Sequence, residues 1–178
     1  MPEKRTTILK GKPVTLLGPE LKVGQIAPDF SLVPPHDRVE LSLTIKNVSL
    51  SQSSGKVRLI SVVPSLDTPV CDMETRRFNQ EAETLGADTR ILTVSMDLPF
   101  AQKRWCGAAG VSHVITLSDH RDAAFGTAFG VLINELRLLA RSIFVLDRNG
   151  VIQYIQHVKE LSEEPNYDAV IEAVQRIV

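Results

Sequence analysis

The chain has 178 residues, 43% hydrophobic and 23% charged, with a formal net charge of −1. That length fits one domain with a substantial core, and the balanced charge gives no electrostatic case for nucleic acid or an anionic membrane. No apolar run reaches transmembrane length, and Met1 to Ile8 lacks the apolar core of a secretory signal, so a cytoplasmic location is expected. Two cysteines, Cys71 and Cys106, are too few for a disulfide scaffold and too far apart for a C-x-x-C pair or a zinc ribbon. A metal site on Cys106, His113 and His120 matches no compact ligand pattern, and neither metal nor cofactor is expected.

Thr6–Leu9 and Val14–Leu17 flank Lys10-Gly11-Lys12-Pro13 and read as a β-hairpin. Gly24 to Leu32 carries turn residues and then an extended apolar segment. Strand pieces follow at Val39–Leu43 and Val48–Leu50, before Ser51–Gly55, a loop by composition. Val57–Val63 is an apolar, β-branched run that reads as a buried strand. A helix is expected from Pro69 to Leu85, with an apolar stripe of Val70, Met73, Phe78, Ala82 and Leu85 and a stop at Gly86.

Further along, Arg90–Met96 and Val114–Leu117 read as strands, with a short helical segment at Phe100–Cys106 between them and a helical turn within Ala123–Gly130. Ser142–Leu146 and Val151–Ile155 flank Asp147-Arg148-Asn149-Gly150, a hairpin signal because Asn-Gly tolerates positive φ. A C-terminal amphipathic helix follows the cap residue Asn166, with Tyr167, Val170, Ile171, Val174, Ile177 and Val178 at helical spacing. Strands alternating with helices give an α/β layered fold, expected to form a single domain over 1–178.

The segment Pro64 to Cys71 carries the chemistry. Pro64 ends the buried strand, Thr68 suits a helix N-cap, and Pro69 suits the first helical position. Cys71 then falls in the first turn, beside unsatisfied N–H groups and the positive end of the helix dipole, a place that favours thiolates. Free cysteine usually packs as a small hydrophobe, but the preceding turn and the charged neighbours Asp72 and Glu74 argue against filler. Those acids also oppose a thiolate, so a reactive Cys71 needs a cation from elsewhere in the chain. From the residues alone, Cys71 and Cys106 are unrelated core thiols, a static disulfide, or a disulfide formed during turnover.

Pro64, Thr68 and Cys71 together make P-x-x-x-T-x-x-C, and at this motif the sequence resembles a peroxiredoxin. The run Leu138 to Asp147, Glu164-Pro165-Asn166-Tyr167 and the N-terminal hairpin are similar to the bacterial thiol peroxidase subgroup of atypical two-cysteine peroxiredoxins. The resemblance spans about Thr6 to Val178. It implies a thioredoxin-like fold with a central mixed sheet flanked by helices and an N-terminal β-hairpin. It further implies Cys71 as peroxidatic and Cys106 as resolving cysteine, with Thr68, Arg141 and Pro64 completing the site. A hydroperoxide would be the substrate, thioredoxin the reductant and a homodimer the assembly.

The physics of those roles is consistent. Arg141 keeps its charge at any relevant pH and can hold a thiolate, and its N–H fork can bind a peroxide oxygen as charge grows on it. The Thr68 hydroxyl can donate and accept at once, although a helix cap needs no catalytic role. Disulfide closure needs Cα atoms within about 7 Å, so a Cys71 seated in a pocket implies local unfolding of its helix turn and of Phe100–Gly107 on oxidation. Trp105 and the four histidines, His36, His113, His120 and His157, read as packing or surface residues. Two other readings compete: a disulfide oxidoreductase, disfavoured by the lack of C-x-x-C, and a redox sensor using a Cys71–Cys106 switch.

Overall fold

The computed structural model describes residues 5–39 and 44–178. Its central sheet has five strands: β5 (Val57–Val62), β6 (Thr89–Ser95), β7 (Val114–Ser118), β10 (Ser142–Leu146) and β11 (Ile152–His157), in the order β11-β10-β5-β6-β7. β5, β6 and β7 run parallel, while β10 is antiparallel to both β5 and β11. Successive strand residues face opposite sides, which divides the core in two. Val57, Leu59, Ile143 and Val145 pack with helix α1 (Pro69–Leu85) and helix α4 (Tyr167–Gln175). Ile60, Val62, Phe144 and Leu146 face the other way, onto Phe125 and Phe129 around the short helix α3 (Ala124–Ala128). Between β6 and β7, helix α2 (Pro99–Ala109) covers a smaller cluster of Val63, Leu66, Cys71 and Trp105.

The N-terminal hairpin is present as β1 (Thr6–Leu9) and β2 (Lys12–Leu17). Its turn is tighter than the sequence suggests: Lys10 and Gly11 alone make it, at φ 49° and 74°, and Lys12 and Pro13 already belong to β2. β2 extends into a second hairpin, β8 (Leu132–Ile133) and β9 (Leu138–Leu139), which leaves no periodicity in the sequence because each strand has two residues. Strands β3 (Ser31–Leu32) and β4 (Val48–Ser49) form a two-stranded ribbon. A 3-10 helix at Leu50–Ser53 replaces most of the loop expected there, closed by a capping box between Ser49 and Gln52. Most of the strand piece expected at Val39–Leu43 lies outside the described residues.

α1 has the expected ends, but its buried face is rotated from the expected stripe. Cys71, Glu74, Thr75, Phe78 and Leu85 are buried, whereas Met73 is 48% exposed. Two polar residues occupy core positions there: Glu74 belongs to the site described below, and the Thr75 hydroxyl donates to the Cys71 carbonyl at 2.9 Å. α4 is capped as expected, with Asn166 Oδ1 accepting the Ala169 amide at 3.1 Å, and it buries Val170 and Val174. Ile177 and Val178 lie past its end.

The hairpin reaches the site through residues 159–161. Ile8 donates its amide to the Lys159 carbonyl (2.9 Å) and accepts the Leu161 amide (2.9 Å). Glu160 folds over the turn, its carboxylate accepting the Lys10 and Gly11 amides at 3.0 and 3.1 Å. Those bonds hold its pKa down to about 2 from an ordinary value of 4.5. A depressed carboxyl stabilises above its ordinary pKa and loses that contribution as pH falls toward the folded value. Amide exchange at Lys10 and Gly11 should therefore accelerate as pH is lowered from 4.5 toward 2 beyond the intrinsic pH effect, and Glu160→Gln should remove that extra dependence, read by NMR.

Candidate active site

Strand periodicity and register assemble the site. The antiparallel ladder pairs Ser142 with Val62, so Arg141 lies level with the C-terminal end of β5, where the chain turns into α1. Its odd parity with Ile143 and Val145 puts it on the α1 face of the sheet. Ser61 shares that face through its parity with Val57 and Leu59. Two helical steps of α1 complete the set: Cys71 and Glu74, three residues apart, share one side of the helix.

Cys71 is fully buried, and its Sγ has two polar neighbours: the Thr68 hydroxyl at 2.8 Å and Arg141 Nη2 at 3.3 Å. Arg141 is 2% exposed, and four hydrogen bonds hold its guanidinium. Nε and Nη2 both donate to the Leu161 carbonyl, at 3.1 and 3.0 Å, and Nη1 donates to Glu74 Oε2 at 2.5 Å. The second Glu74 oxygen accepts the Ser61 hydroxyl at 2.6 Å. Burial is the largest influence on Glu74 and raises its pKa, with the Arg141 charge opposing. For Arg141 burial works against the charge, but the adjoining Glu74 and Cys71 outweigh it and the net direction is up.

Thr68 occupies the N-cap position but makes no side-chain cap bond. Its hydroxyl lies 2.8 Å from both Cys71 Sγ and the Ser65 carbonyl. One hydroxyl carries one proton. With a thiol, the S–H donates to Thr68 while Thr68 donates to Ser65; with a thiolate, the Thr68 proton turns to sulfur. The cap function is given up for the sulfur contact, and the missing cap is one more unmet N–H demand near Cys71.

The two acids that opposed a thiolate in the sequence are both neutralised locally. Glu74 is paired with Arg141, and Asp72 is held by Arg76 Nε (3.0 and 2.9 Å) and by the Trp105 indole N–H (2.9 Å). Trp105 is therefore a packing residue with one polar tie. Cys106, half-buried on α2, packs at the edge of the Cys71 cluster with its sulfur 3.4 Å from the Thr116 hydroxyl. Both cysteines are free thiols. His36 is buried edge-on against Phe100, and His157 contacts Ser142, so neither reaches the sulfur site. Among the described residues no group of His, Cys, Asp or Glu could hold a metal ion.

A cavity of about 350 Å³ opens onto this centre. Pro64, Thr68 and Arg141 are in its wall, and Leu9, Pro69, Val70, Ile133, Leu138 and Leu161 make most of the rest apolar. Of the site residues expected from the sequence, Pro64, Thr68 and Arg141 line this cavity, Cys71 lies behind Thr68 and Arg141, and Cys106 stands apart on α2. Sequence reasoning did not locate Glu74, Ser61 or the Leu161 carbonyl as partners of Arg141. The helical spacing of Glu74 from Cys71 was the available signal for the first; a backbone carbonyl leaves none.

The profile of the Redoxin family matches residues 22–171. The thiol peroxidase of Bacillus subtilis (strain 168) is 56% identical over 95% of this chain and 96% of its own length. The chain belongs to the redoxin family, in its thiol peroxidase branch. A second relative of this redoxin, the thiol peroxidase of Halalkalibacterium halodurans, is 53% identical over 93% of the chain and 95% of its own length. Among solved structures, a peroxiredoxin-like protein from Aquifex aeolicus superposes with a TM-score of 0.86 at 41% identity, covering 98% of both chains. The thiol peroxidase from Chromobacterium violaceum shares the fold, with a TM-score of 0.82 at 18% identity.

Removing one member of the buried pair leaves the other charge unpaired in the core, which typically costs about 3–5 kcal/mol. Glu74→Ala should lower the free energy of unfolding of this redoxin by about that amount in a urea titration, whereas Asp72→Ala, at an exposed pair, should lose about 1 kcal/mol or less.

Proposed function

We propose that this chain is a thiol peroxidase that reduces hydroperoxides through Cys71 and recycles through Cys106. The observation that carries the reading is the Cys71 sulfur set between the Thr68 hydroxyl and the Arg141 guanidinium behind the wall of an apolar cavity. Arg141 is the cation that the neighbourhood of Cys71 lacks in sequence. Its positive charge favours the thiolate, which is the nucleophile.

In the proposed reaction the thiolate attacks the nearer oxygen of ROOH along the O–O bond. The O–O bond breaks, the S–O bond forms, and RO⁻ takes up a proton, giving ROH and Cys71 sulfenic acid. Arg141 and Thr68 stabilise the charge as it passes from sulfur to oxygen, and Pro64, which has no N–H, keeps that side of the cavity free of a competing donor. The Cys106 thiol then displaces hydroxide from the sulfenic sulfur, releasing water and closing the disulfide. A thioredoxin-type dithiol returns both thiols by exchange and leaves as its own disulfide. Because the Cys71 sulfur is enclosed while Cys106 faces Thr116, closure entails local opening of the first turn of α1 and of α2 around Phe100–Gly107.

The same proposal places all of this in one domain spanning 1–178, as a cytoplasmic homodimer, a compartment where dithiol reductants keep cysteines as thiols. Light scattering tests the dimer. No helix among the described residues is long and apolar enough to cross a membrane.

Stopped-flow oxidation followed by coupled turnover with thioredoxin and its reductase tests the chemistry. Cys71→Ser should abolish peroxide consumption. Cys106→Ser should keep the first oxidation and lose recycling, accumulating sulfenic or over-oxidised Cys71; normal steady-state turnover in that variant would remove Cys106 from the mechanism. Thr68→Val should slow the first step by about 10²-fold or more, the scale for removing one preorganised donor. Slow stoichiometric oxidation with no turnover in the thioredoxin system would favour a sensor instead.

A further inference from the structure

A continuous line of hydrogen bonds joins the two cysteine-bearing segments, and its centre is a residue that touches neither sulfur. Gln102 stands one helical turn before Cys106 on α2, fully buried, and its Nε2 donates to Ser95 Oγ at 3.0 Å and to the Leu117 carbonyl at 2.9 Å. Ser95 in turn donates to Asp97 Oδ2 at 2.8 Å. The same carboxylate reaches the turn before α1: Oδ2 accepts the Leu66 amide at 2.8 Å and Oδ1 accepts the Ser65 hydroxyl at 2.7 Å. The Ser65 carbonyl then accepts the Thr68 amide (3.1 Å) and hydroxyl (2.8 Å), and that hydroxyl meets Cys71 Sγ. Asp97 is itself fixed by Ser118, whose hydroxyl donates to its carbonyl at 2.5 Å.

Resting on the peroxidase reading, we propose that Asp97 is a positioning residue, a latch that holds the Pro64–Cys71 turn and the start of α2 closed as one unit and lets them open together. A half-buried carboxylate with three donors makes charge-assisted bonds, stronger than neutral ones. Two of its donors, Ser65 and Leu66, belong to the turn, and the third, Ser95, is held on its other side by Gln102 of α2, so loosening either segment weakens the bonds that hold the other. The closed latch places the Ser65 carbonyl and hence the Thr68 hydroxyl, so it sets the geometry for peroxide attack. The open latch frees the backbone that disulfide closure must move. Gln102 Oε1 is buried without a partner, so the α2 end gains a water bond on opening and is the end poised to yield.

A merely structural residue would slow both chemical steps or neither; a latch moves them in opposite directions. In the full-length reduced protein, Asp97→Ala should raise hydrogen–deuterium exchange in residues 64–72 and 99–107 together. Protection unchanged, or lost in only one of the two segments, would overturn the latch. With hydrogen peroxide, followed through the fluorescence of the single tryptophan, Trp105, sulfenic acid formation should slow about tenfold while disulfide formation accelerates, since small misplacements of a reacting group have large kinetic costs. Both phases unchanged, or both slowed alike, would also overturn it. Ser65→Ala, which cuts the Oδ1 bond and the exposed Asp67 amide bond but keeps the carboxylate and its Leu66 and Ser95 donors, should shift both phases in the same directions by less, and keeps the test open if Asp97→Ala folds poorly. A wild-type protein with no peroxide-dependent phase would refute the peroxidase reading, and the exchange measurement, which needs no peroxide, would still decide the latch.

Discussion

A guanidinium with 2% exposure sits at the level where the central sheet ends and α1 begins, and much of the surrounding structure exists to satisfy it. Arg141 cannot lose its proton, so each N–H buried with it needs an acceptor. Four of them reach three acceptors on two segments: the Leu161 carbonyl, and the Glu74 carboxylate and Cys71 sulfur, both on α1. Each acceptor has its own support. Leu161 is fixed by β1, through the Ile8 bonds and the Glu160 clasp over the hairpin turn. Glu74 is fixed by Ser61 and by the face that α1 turns to the sheet. The N-terminal hairpin is thus connected to the sulfur centre by two peptide groups and a carbonyl.

The sharing of one cation between two potential anions is the electrostatic core of the site. Glu74 and the Cys71 sulfur both draw on Arg141, and burial presses Glu74 toward its neutral form. A buried ion pair of this kind is weak evidence for stability, because desolvation offsets most of the attraction. Its value lies in orientation. With Nη1 and Nε committed to Glu74 and Leu161, Nη2 is aimed at sulfur and toward the cavity wall, so the charge arrives with a direction as well as a sign.

Much of this was legible in the residues. Val57–Val63 read as a buried strand because β-branched residues run unbroken there, and Pro69 to Gly86 read as a helix with a proline start and a glycine stop. The misreadings have physical causes too. Hydrophobicity alone puts the α1 stripe through Met73, while the true buried face carries Glu74, satisfied by Ser61 and Arg141 far away in sequence, and Thr75, whose hydroxyl donates to the Cys71 carbonyl one turn back. The β8–β9 hairpin escaped notice because two-residue strands have no periodicity to detect. Thr68 reads as a cap by residue type, but its hydroxyl points at the Cys71 sulfur and the Ser65 carbonyl instead of accepting a backbone N–H of the first turn.

By itself the sequence determined the local grammar: a buried strand, a proline, a helix start and a cysteine in the first turn, with a threonine three residues before it. Those follow from dihedral limits and capping, which act over a few residues. It also specified, through the family motif, which distant arginine to look for. Only the tertiary structure decided that Arg141 is buried, that Glu74 divides its charge, and that a carboxylate at Asp97 links the two cysteine segments. Each of these depends on the antiparallel register of β10 on β5 and on the packing of α1 and α2 around Val63, Leu66, Cys71 and Trp105, and contacts between residues dozens of positions apart are set by packing rather than by local preference.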